Sequence, residues 1–300
     1  MLKIAWSPIY KYELPDGHRF PMEKYDLLPE QLLYEGTVVD ENFFNPTALD
    51  DSQILLTHTP DYIHKLNTQS LSKKEIRNIG FPMTPRLVER GKHIANGTYM
   101  SAEYAIKYGI GMNIAGGTHH AFAERGEGFC IFNDIAISAN LLKLKYLDLK
   151  ILIVDLDVHQ GNGTAKIFEN DPNTYTFSMH GAKNYPLKKE FSDLDIGLPD
   201  GTNDANYLKI LYETLPKLLD DFQPNFIFFL SGVDVLHTDK LGKLHLTKEG
   251  CRQRDKYVLQ TALNYNIPIS VVMGGGYSTK LADILDAHAN TFRLAQQIFF

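Results

Sequence analysis

Cysteine is nearly missing from this chain. Two thiols in 300 residues, Cys130 and Cys251, cannot build a disulfide framework, and they point to a reducing, cytoplasmic setting. A basic surplus is missing as well. Thirty Lys and Arg against 36 Asp and Glu leave a formal charge of −6, which argues against a direct nucleic-acid partner. No apolar run comes near the roughly 18 residues that a membrane-spanning helix needs; the longest are Phe226–Leu230 and Ile269–Met273. Low-complexity tracts, repeats and Pro/Ser linkers are absent, so residues 1–300 are expected to form a single catalytic-size domain. Met1–Pro8 reads as a first strand and turn, not as a leader peptide. What remains is 44% hydrophobic and 22% charged residues, the composition of a chain with a sizeable core.

Short apolar runs alternate with longer helical patterns. The runs are Lys3–Trp6, Ile54–Thr57, Gly111–Ala115, Ile151–Asp155, Thr174–Ser178, Phe226–Ser231 and Ser270–Met273. Continuous apolar strands bounded by helices mark a parallel sheet covered on both faces. Helix starts carry readable caps: Thr59-Pro60, Thr84-Pro85, Asn133-Asp134, Thr202-Asn203 and Thr247. The pattern predicts a long helix from Pro85 to Tyr108, closed by Gly109, and a last helix from about Lys280 to Gln297. In such an α/β fold the ligand site lies outside the carboxyl ends of the strands.

Four polar clusters fall at those ends. After the strand 151–155, Asp155, Asp157 and His159 occupy every second position, and a Gly-x-Gly turn follows. A side-chain period of two would put all three on one side, where two carboxylates and an imidazole call for a cation. The alternative is a network of hydrogen-bonded turn residues. Gly116-Gly117-Thr118-His119-His120 follows the strand 111–115; adjacent histidines suit acid/base work better than joint ligation of one metal. Asp234, in Ser231-Gly-Val-Asp234, is either a turn residue or a third ligand to an Asp157/His159 site. Gly274-Gly275-Gly276-Tyr277 lacks the Lys-Ser/Thr and GxGxxG patterns of nucleotide loops, and its tyrosine hydroxyl suits an oxyanion. No Gly-x-Ser-x-Gly elbow exists for a serine hydrolase. His18, His58, His64, His93, His237, His245 and His288 lack metal-like spacing and read as structural or exposed; Cys130 reads as a small core residue.

Together with Gly128-Phe129-Cys-Ile-Phe-Asn133-Asp134 and Ser178-Met179-His180, these motifs stand in the order seen in the histone deacetylase family. The chain resembles that family, in its class IV-like and bacterial branch, over nearly its whole length. The resemblance implies an arginase-like α/β fold with one parallel sheet of about eight strands. It further implies a zinc-dependent amidohydrolase acting on N-ε-acetyl-lysine or another acyl-lysine. Asp157, His159 and Asp234 would be the metal ligands. His120 would be the general base and acid, with Asn162 as its hydrogen-bond partner. His119 would be an electrostatic partner oriented by Asp155, and Tyr277 the donor to the oxyanion. Gly128, Phe129, Tyr185 and Gly275 would line the acyl tunnel. A structural monovalent cation, K⁺ in this family, would lie at Asp155 and Ser178 and at the backbone carbonyls of Asp157, His159 and Met179. The ligand set is also compatible with Fe(II).

Three departures bear on the transfer. Asn162 stands where the family often has Asp. Tyr185-Pro186 replaces the commoner Phe-Pro on the tunnel wall. Gly80-Phe-Pro-Met-Thr84 lacks the acid that grips substrate backbone in many members. The expected partner is therefore an acylated lysine peptide or a small acylated amine, with neither nucleic acid nor membrane and a state compatible with a monomer. The alternatives are an acetylpolyamine amidohydrolase, an arginase-type binuclear enzyme and an inactive acyl-lysine-binding module.

Overall fold

The computed structural model describes residues 1–300. Eight strands form one sheet: β1 Lys3–Ala5, β2 Phe43–Phe44, β3 Ile110–Asn113, β4 Ile151–Asp155, β5 Thr174–Gly181, β6 Leu194–Leu198, β7 Phe226–Leu230 and β8 Ile269–Val272. Their spatial order is β2-β1-β3-β8-β7-β4-β5-β6, and every pairing is parallel. Ten helices accompany them: α1 Lys24–Tyr34, α2 Asp51–Ile54, α3 Pro60–Asn67, α4 Lys73–Ile79, α5 Pro85–Tyr108, α6 Asp134–Lys145, α7 Asn162–Phe168, α8 Asp204–Phe222, α9 Lys248–Asn264 and α10 Leu281–Phe299. No helix is long and apolar enough to cross a membrane.

The two faces of the sheet explain why its strands are apolar throughout. Ile151, Ile153, Phe226 and Phe228 pack against Ala102, Ala105, Ala136 and Leu142 of α5 and α6. Their neighbours Leu152, Val154, Ile227 and Phe229 point the other way, into the core that holds Leu211, Leu215, Val258, Leu259 and Phe292 of α8, α9 and α10. With both sides covered, each such side chain contributes about 2 kcal/mol of burial, and no polar alternation survives in the sequence.

The caps read from the sequence are in place. Thr59, Thr84, Asn133 and Thr247 accept from the backbone N–H groups of Tyr62, Leu87, Ala136 and Gly250. Asn203, not Thr202, caps α8 by accepting from Asn206. Two expectations fail. Residues 54–57 are not a strand: Asp50 caps α2, and the chain then turns into the α3 cap. The Gly161-Asn162-Gly163 turn is the start of α7. Strands β2 and β6 escaped notice because β2 is two residues long and β6 is an edge strand whose residues are only alternately covered.

His58 fastens the loop before α3 to the start of α6. Its Nδ1 lies 3.3 Å from the Ala123 carbonyl, and its Nε2 accepts from the Asn133 N–H at 3.0 Å. The Nε2 contact needs the neutral ring, and burial pushes its pKa down to about 4 from an ordinary 6.5. A depressed histidine stabilises the fold above the unfolded pKa, and that stability is lost as pH falls through the folded one. Acidification from pH 6.5 to 4 should thus remove about 3 kcal/mol through this group. Urea unfolding of His58→Gln across that window should show a shallower pH dependence than the parent protein; equal slopes would refute the assignment.

Candidate active site

The four central strands, β3, β8, β7 and β4, all end at one place, and the chain beyond each of them enters a single cavity of about 310 Å³. His119 and His120 come from the β3 end, Asp157 and His159 from β4, Asp234 from β7, and Gly275 and Tyr277 from β8; all seven line the cavity, as do Gly128, Phe129 and Tyr185. Asp155 and Asn162 stand behind this lining as partners of the two histidines.

Asp157, His159 and Asp234 are buried together, with one donor atom of each within 4.8 Å of the others. The pleat of β4 is not what gathers them, because the strand ends at Asp155 and the next residues bend out of the sheet. Carboxylates folding back on backbone donors do the work instead. Asp155 accepts from the Asp157 N–H at 3.2 Å, and Asp157 Oδ1 accepts from the His159 N–H at 2.9 Å. Asp157 Oδ2 accepts from Gly275 at 2.8 Å, tying β4 to β8, and Asp234 Oδ1 accepts from Val158 at 2.9 Å, tying β7 to β4. Gly275 has no room for a side chain: a Cβ there would stand 2.0 Å from Asp234 Oδ2.

His159 Nδ1 faces both acids, 3.0 Å from Asp157 Oδ1 and 3.2 Å from Asp234 Oδ2. Its single Nδ1 proton serves Asp157, the nearer oxygen, and Asp234 Oδ2 is left buried without a hydrogen bond. Burial and the Asp157 charge push Asp234 up to about 7. Asp157 is held well below the carboxylate range despite its burial, by His159 and His119. Burial alone would lower the pKa of His159, but the two carboxylates raise it to about 10. Two oxygens and one nitrogen converging around an unsatisfied buried oxygen form a donor set that fits a divalent ion.

The adjacent histidines have been driven apart. His119 Nδ1 donates to Asp155 Oδ2 at 2.6 Å, and this carboxylate overcomes burial to raise its pKa. The His120 ring centroid is 4.1 Å away, and burial with the charges of His119 and His159 pushes its pKa well down. His120 Nδ1 lies 2.6 Å from Asn162 Oδ1, an atom that can only accept. The amide's orientation is fixed in turn, since Asn162 Nδ2 donates to Glu127 at 2.6 Å. The proton of neutral His120 therefore sits on Nδ1, and Nε2 carries the lone pair.

The remaining wall is aromatic. Phe129 has ring centroids at 5.1 Å from Phe81, 5.4 Å from Phe20 and 6.2 Å from Tyr277. Its φ of +68° is a left-handed conformation that a bulky residue adopts at a cost of about 1 kcal/mol or more. Backbone bonds from Gly128 and Phe129 to the carbonyls of Asn78 and Ile79 hold it there. Gly128 is required beneath it, since a Cβ would meet His120 Cδ2 at 2.6 Å.

The histone deacetylase domain matches residues 18–292. The chain belongs to the histone deacetylase family. An uncharacterised protein of Picosynechococcus is 42% identical over 296 residues, 99% of each chain. Histone deacetylase 2 of Arabidopsis thaliana is 29% identical over 89% of this chain and 72% of that one. The acetoin utilization protein AcuC of Staphylococcus aureus is 29% identical over 90% and 75%. Among solved structures, an HDAC homologue from Aquifex aeolicus superposes with a TM-score of 0.85 at 23% identity, over 98% of this chain and 84% of that one, a likeness in fold. An HDAC homologue complexed with SAHA gives 0.84 at 25% identity, over 98% and 82%. The parallel sheet is thus the arginase-like sheet of the histone deacetylases, and the chain is a family hydrolase with a candidate metal site.

The departures from the common family pattern acquire partners here. The Tyr185 ring centroid is 4.9 Å from that of His120, and its hydroxyl donates to Glu127 at 2.9 Å. Phe81 fills part of the wall from the acid-free loop. Ser178 lies opposite Asp155 in the β4–β5 ladder, with Met179 next in line.

Several residues of this site gave no signal in the sequence. Glu127 orients Asn162. Asp134, read only as a helix opener, accepts from the N–H groups of Gly117 and Thr118 and shapes the histidine loop. Lys24 is buried and donates to the Gly274 carbonyl at 3.1 Å; burial lowers its pKa to about 8. Arg254, also wholly buried, donates to the carbonyls of Leu156 at 3.1 Å and Gly232 at 2.6 Å, beside the metal-ligand candidates, and pairs with Asp255 at 2.7 Å. Asn162 and Asp134 stand within sequence motifs; Glu127, Lys24 and Arg254 are single residues far away in sequence from what they bond. Arg254→Met should cost about 3–5 kcal/mol in urea unfolding, because Asp255 is left buried and unpaired, and adding Asp255→Leu should recover much of that loss. A loss below about 1 kcal/mol in the single variant would show the clamp to be idle.

Proposed function

We propose that residues 1–300 act as one catalytic domain, a metal-dependent deacylase that hydrolyses the amide of N-ε-acetyl-lysine or a related acyl-lysine in a peptide. The observation that carries this reading is the split between two touching imidazoles. His119 is biased towards its charged form and His120 towards its neutral form, and they lie beside a buried Asp-His-Asp cluster at the end of an aromatic cavity. Paired titratable groups pushed apart are what acid/base hydrolysis needs near neutral pH.

Asp157, His159 and Asp234 would hold a divalent ion, Zn(II) or Fe(II), in a reducing, cytoplasmic setting. When bound, such an ion polarises the substrate carbonyl and lowers the pKa of water. The protein's own groups then divide the task. His120 Nε2 is the base for the attacking water, and the same nitrogen later returns a proton to the leaving amine. Asn162, held by Glu127, keeps that nitrogen unprotonated and aimed. Asp155 holds His119 in place, and its carboxylate offsets the positive charge of the histidine pair when His120 takes up a proton. Tyr277 stays protonated because burial and the nearby Asp234 and Asp157 charges push its pKa well up, so its hydroxyl remains a donor for the developing oxyanion. Phe129, Tyr185, Gly128 and Gly275 shape the channel for the acyl group. Asp155 and Ser178, with the carbonyls of Asp157, His159 and Met179, are the place for a structural K⁺.

Tyr277→Phe should leave the fold and metal content intact and lower kcat on an acetyl-lysine peptide by about 10²–10³. Near-parental turnover would remove Tyr277 from the mechanism. Chelator treatment should abolish activity and one added equivalent of Zn(II) restore it; activity untouched by a chelator would overturn the metal-dependent reading.

A further inference from the structure

The charge of the chain and the charge of its cavity are opposite. The whole molecule carries −6, yet the cavity lining contains Arg19, Arg90, Lys183 and Lys243. Its only acids are Asp157 and Asp234, both in the cluster reserved above for a divalent ion. Arg90 is buried, with Nε bonded to the Tyr10 carbonyl at 2.7 Å, and is a structural group. The other three cations are exposed at the mouth.

These three are held in place but poorly neutralised. The Arg19 guanidinium lies 5.1 Å from the centre of the Phe129 ring, directly on the cavity wall. Lys243 Nζ donates to the Lys183 carbonyl at 3.2 Å, and Asn184 joins the same two loops by donating to Leu241 at 2.7 Å. Neither Arg19 nor Lys243 has a carboxylate within ion-pairing distance, and Lys183 has only Asp200, at 3.9 Å between two exposed groups. Two acids close in sequence to lining residues, Glu127 and Asp239, are bonded elsewhere. Glu127 accepts from Asn162 and Tyr185, and Asp239 accepts from the N–H groups of Leu241, Gly242 and Tyr277. An exposed cation without a partner is still free to meet a substrate, and a concave mouth with low-dielectric aromatic walls concentrates its field.

We propose that the acylated amine admitted here carries negative charge beside the scissile amide: an acyl-lysine flanked by Asp or Glu, and not by Lys or Arg. The proposal rests on the deacylase reading and narrows its substrate class. A cationic acetylpolyamine is disfavoured by the same field. An Nα-blocked N-ε-acetyl-lysine, whose one charge is its α-carboxylate, offers the same anionic chemistry in a small molecule.

The test compares acetyl-lysine peptides of equal length with acidic, neutral and basic flanks, together with Nα-blocked N-ε-acetyl-lysine and acetylputrescine, on the Zn(II)-loaded protein and on an Arg19→Glu/Lys243→Glu variant. The acidic peptide should exceed the basic one in kcat/KM by about 10-fold or more at low salt, and the gap should shrink at about 0.5 M salt. In the variant the preference should flatten or invert. Nα-blocked N-ε-acetyl-lysine outpacing the acidic peptide would assign the anion to a small molecule, in support of the charge rule; acetylputrescine or the basic peptide outpacing both would overturn it. Peptide affinities measured by fluorescence anisotropy keep the two readings apart. An acidic-over-basic ratio in binding without turnover of any peptide would sink the deacylase reading alone, whereas turnover of the neutral peptide with equal affinities for all flanks would sink this one alone.

Discussion

Asp157 and Asp234 are two carboxylates buried side by side with a single imidazole between them. Both are almost wholly shielded from solvent, and one oxygen of Asp234 faces only His159 Nδ1, whose proton serves the nearer Asp157. Such an arrangement is costly unless a cation shares the charge. Much of the surrounding structure can be understood as support for it. The β4, β7 and β8 ends are laced together through these carboxylates by backbone donors from Val158, His159 and Gly275. Behind them lie two buried cations, Lys24 and Arg254, which bond to the carbonyls of the same strand ends. The fold thus surrounds a negative centre with positive groups that cannot reach it directly, leaving the convergent lone pairs to a metal.

The same electrostatic economy separates the two histidines. Their rings touch, so a charge on one disfavours a charge on the other, and the environment decides which one carries it at rest. A full carboxylate behind His119 favours the imidazolium, while a neutral amide behind His120 does not compensate for burial. Asn162 in place of the acid common in the family therefore brings no carboxylate against His120, and Glu127 supplies orientation through the amide without placing its charge against the ring.

Much of this was legible in the sequence because parallel sheets write their sites in short contiguous motifs. Each central strand is an apolar run, and its next few residues are the site, so Asp157, His159, Asp234, His119, His120 and Tyr277 could all be found from strand ends and their wording. The alternation rule singled out positions 155, 157 and 159, but turn hydrogen bonds and not the pleat bring them to the cavity. What stayed hidden acts across the chain. Arg254 sits in α9 and reaches loops about 20 and 100 residues away, Lys24 in α1 reaches Gly274, and Glu127 meets Asn162 only after folding. A lysine or arginine in a helix carries no local mark of being buried. The apolar run at 54–57 misled for the complementary reason: its residues are helix end and turn, packed by tertiary contacts that periodicity cannot see.

A cation at the Asp-His-Asp cluster is the central element of the proposed chemistry. Calorimetric titration of chelator-treated protein with Zn(II), paired with thermal unfolding, tests this directly and independently of any substrate. The expected result is one tight site per chain with a marked rise in Tm, both lost in Asp234→Asn. Absence of binding at micromolar metal, or equal binding by the parent protein and the Asp234→Asn variant, would contradict it.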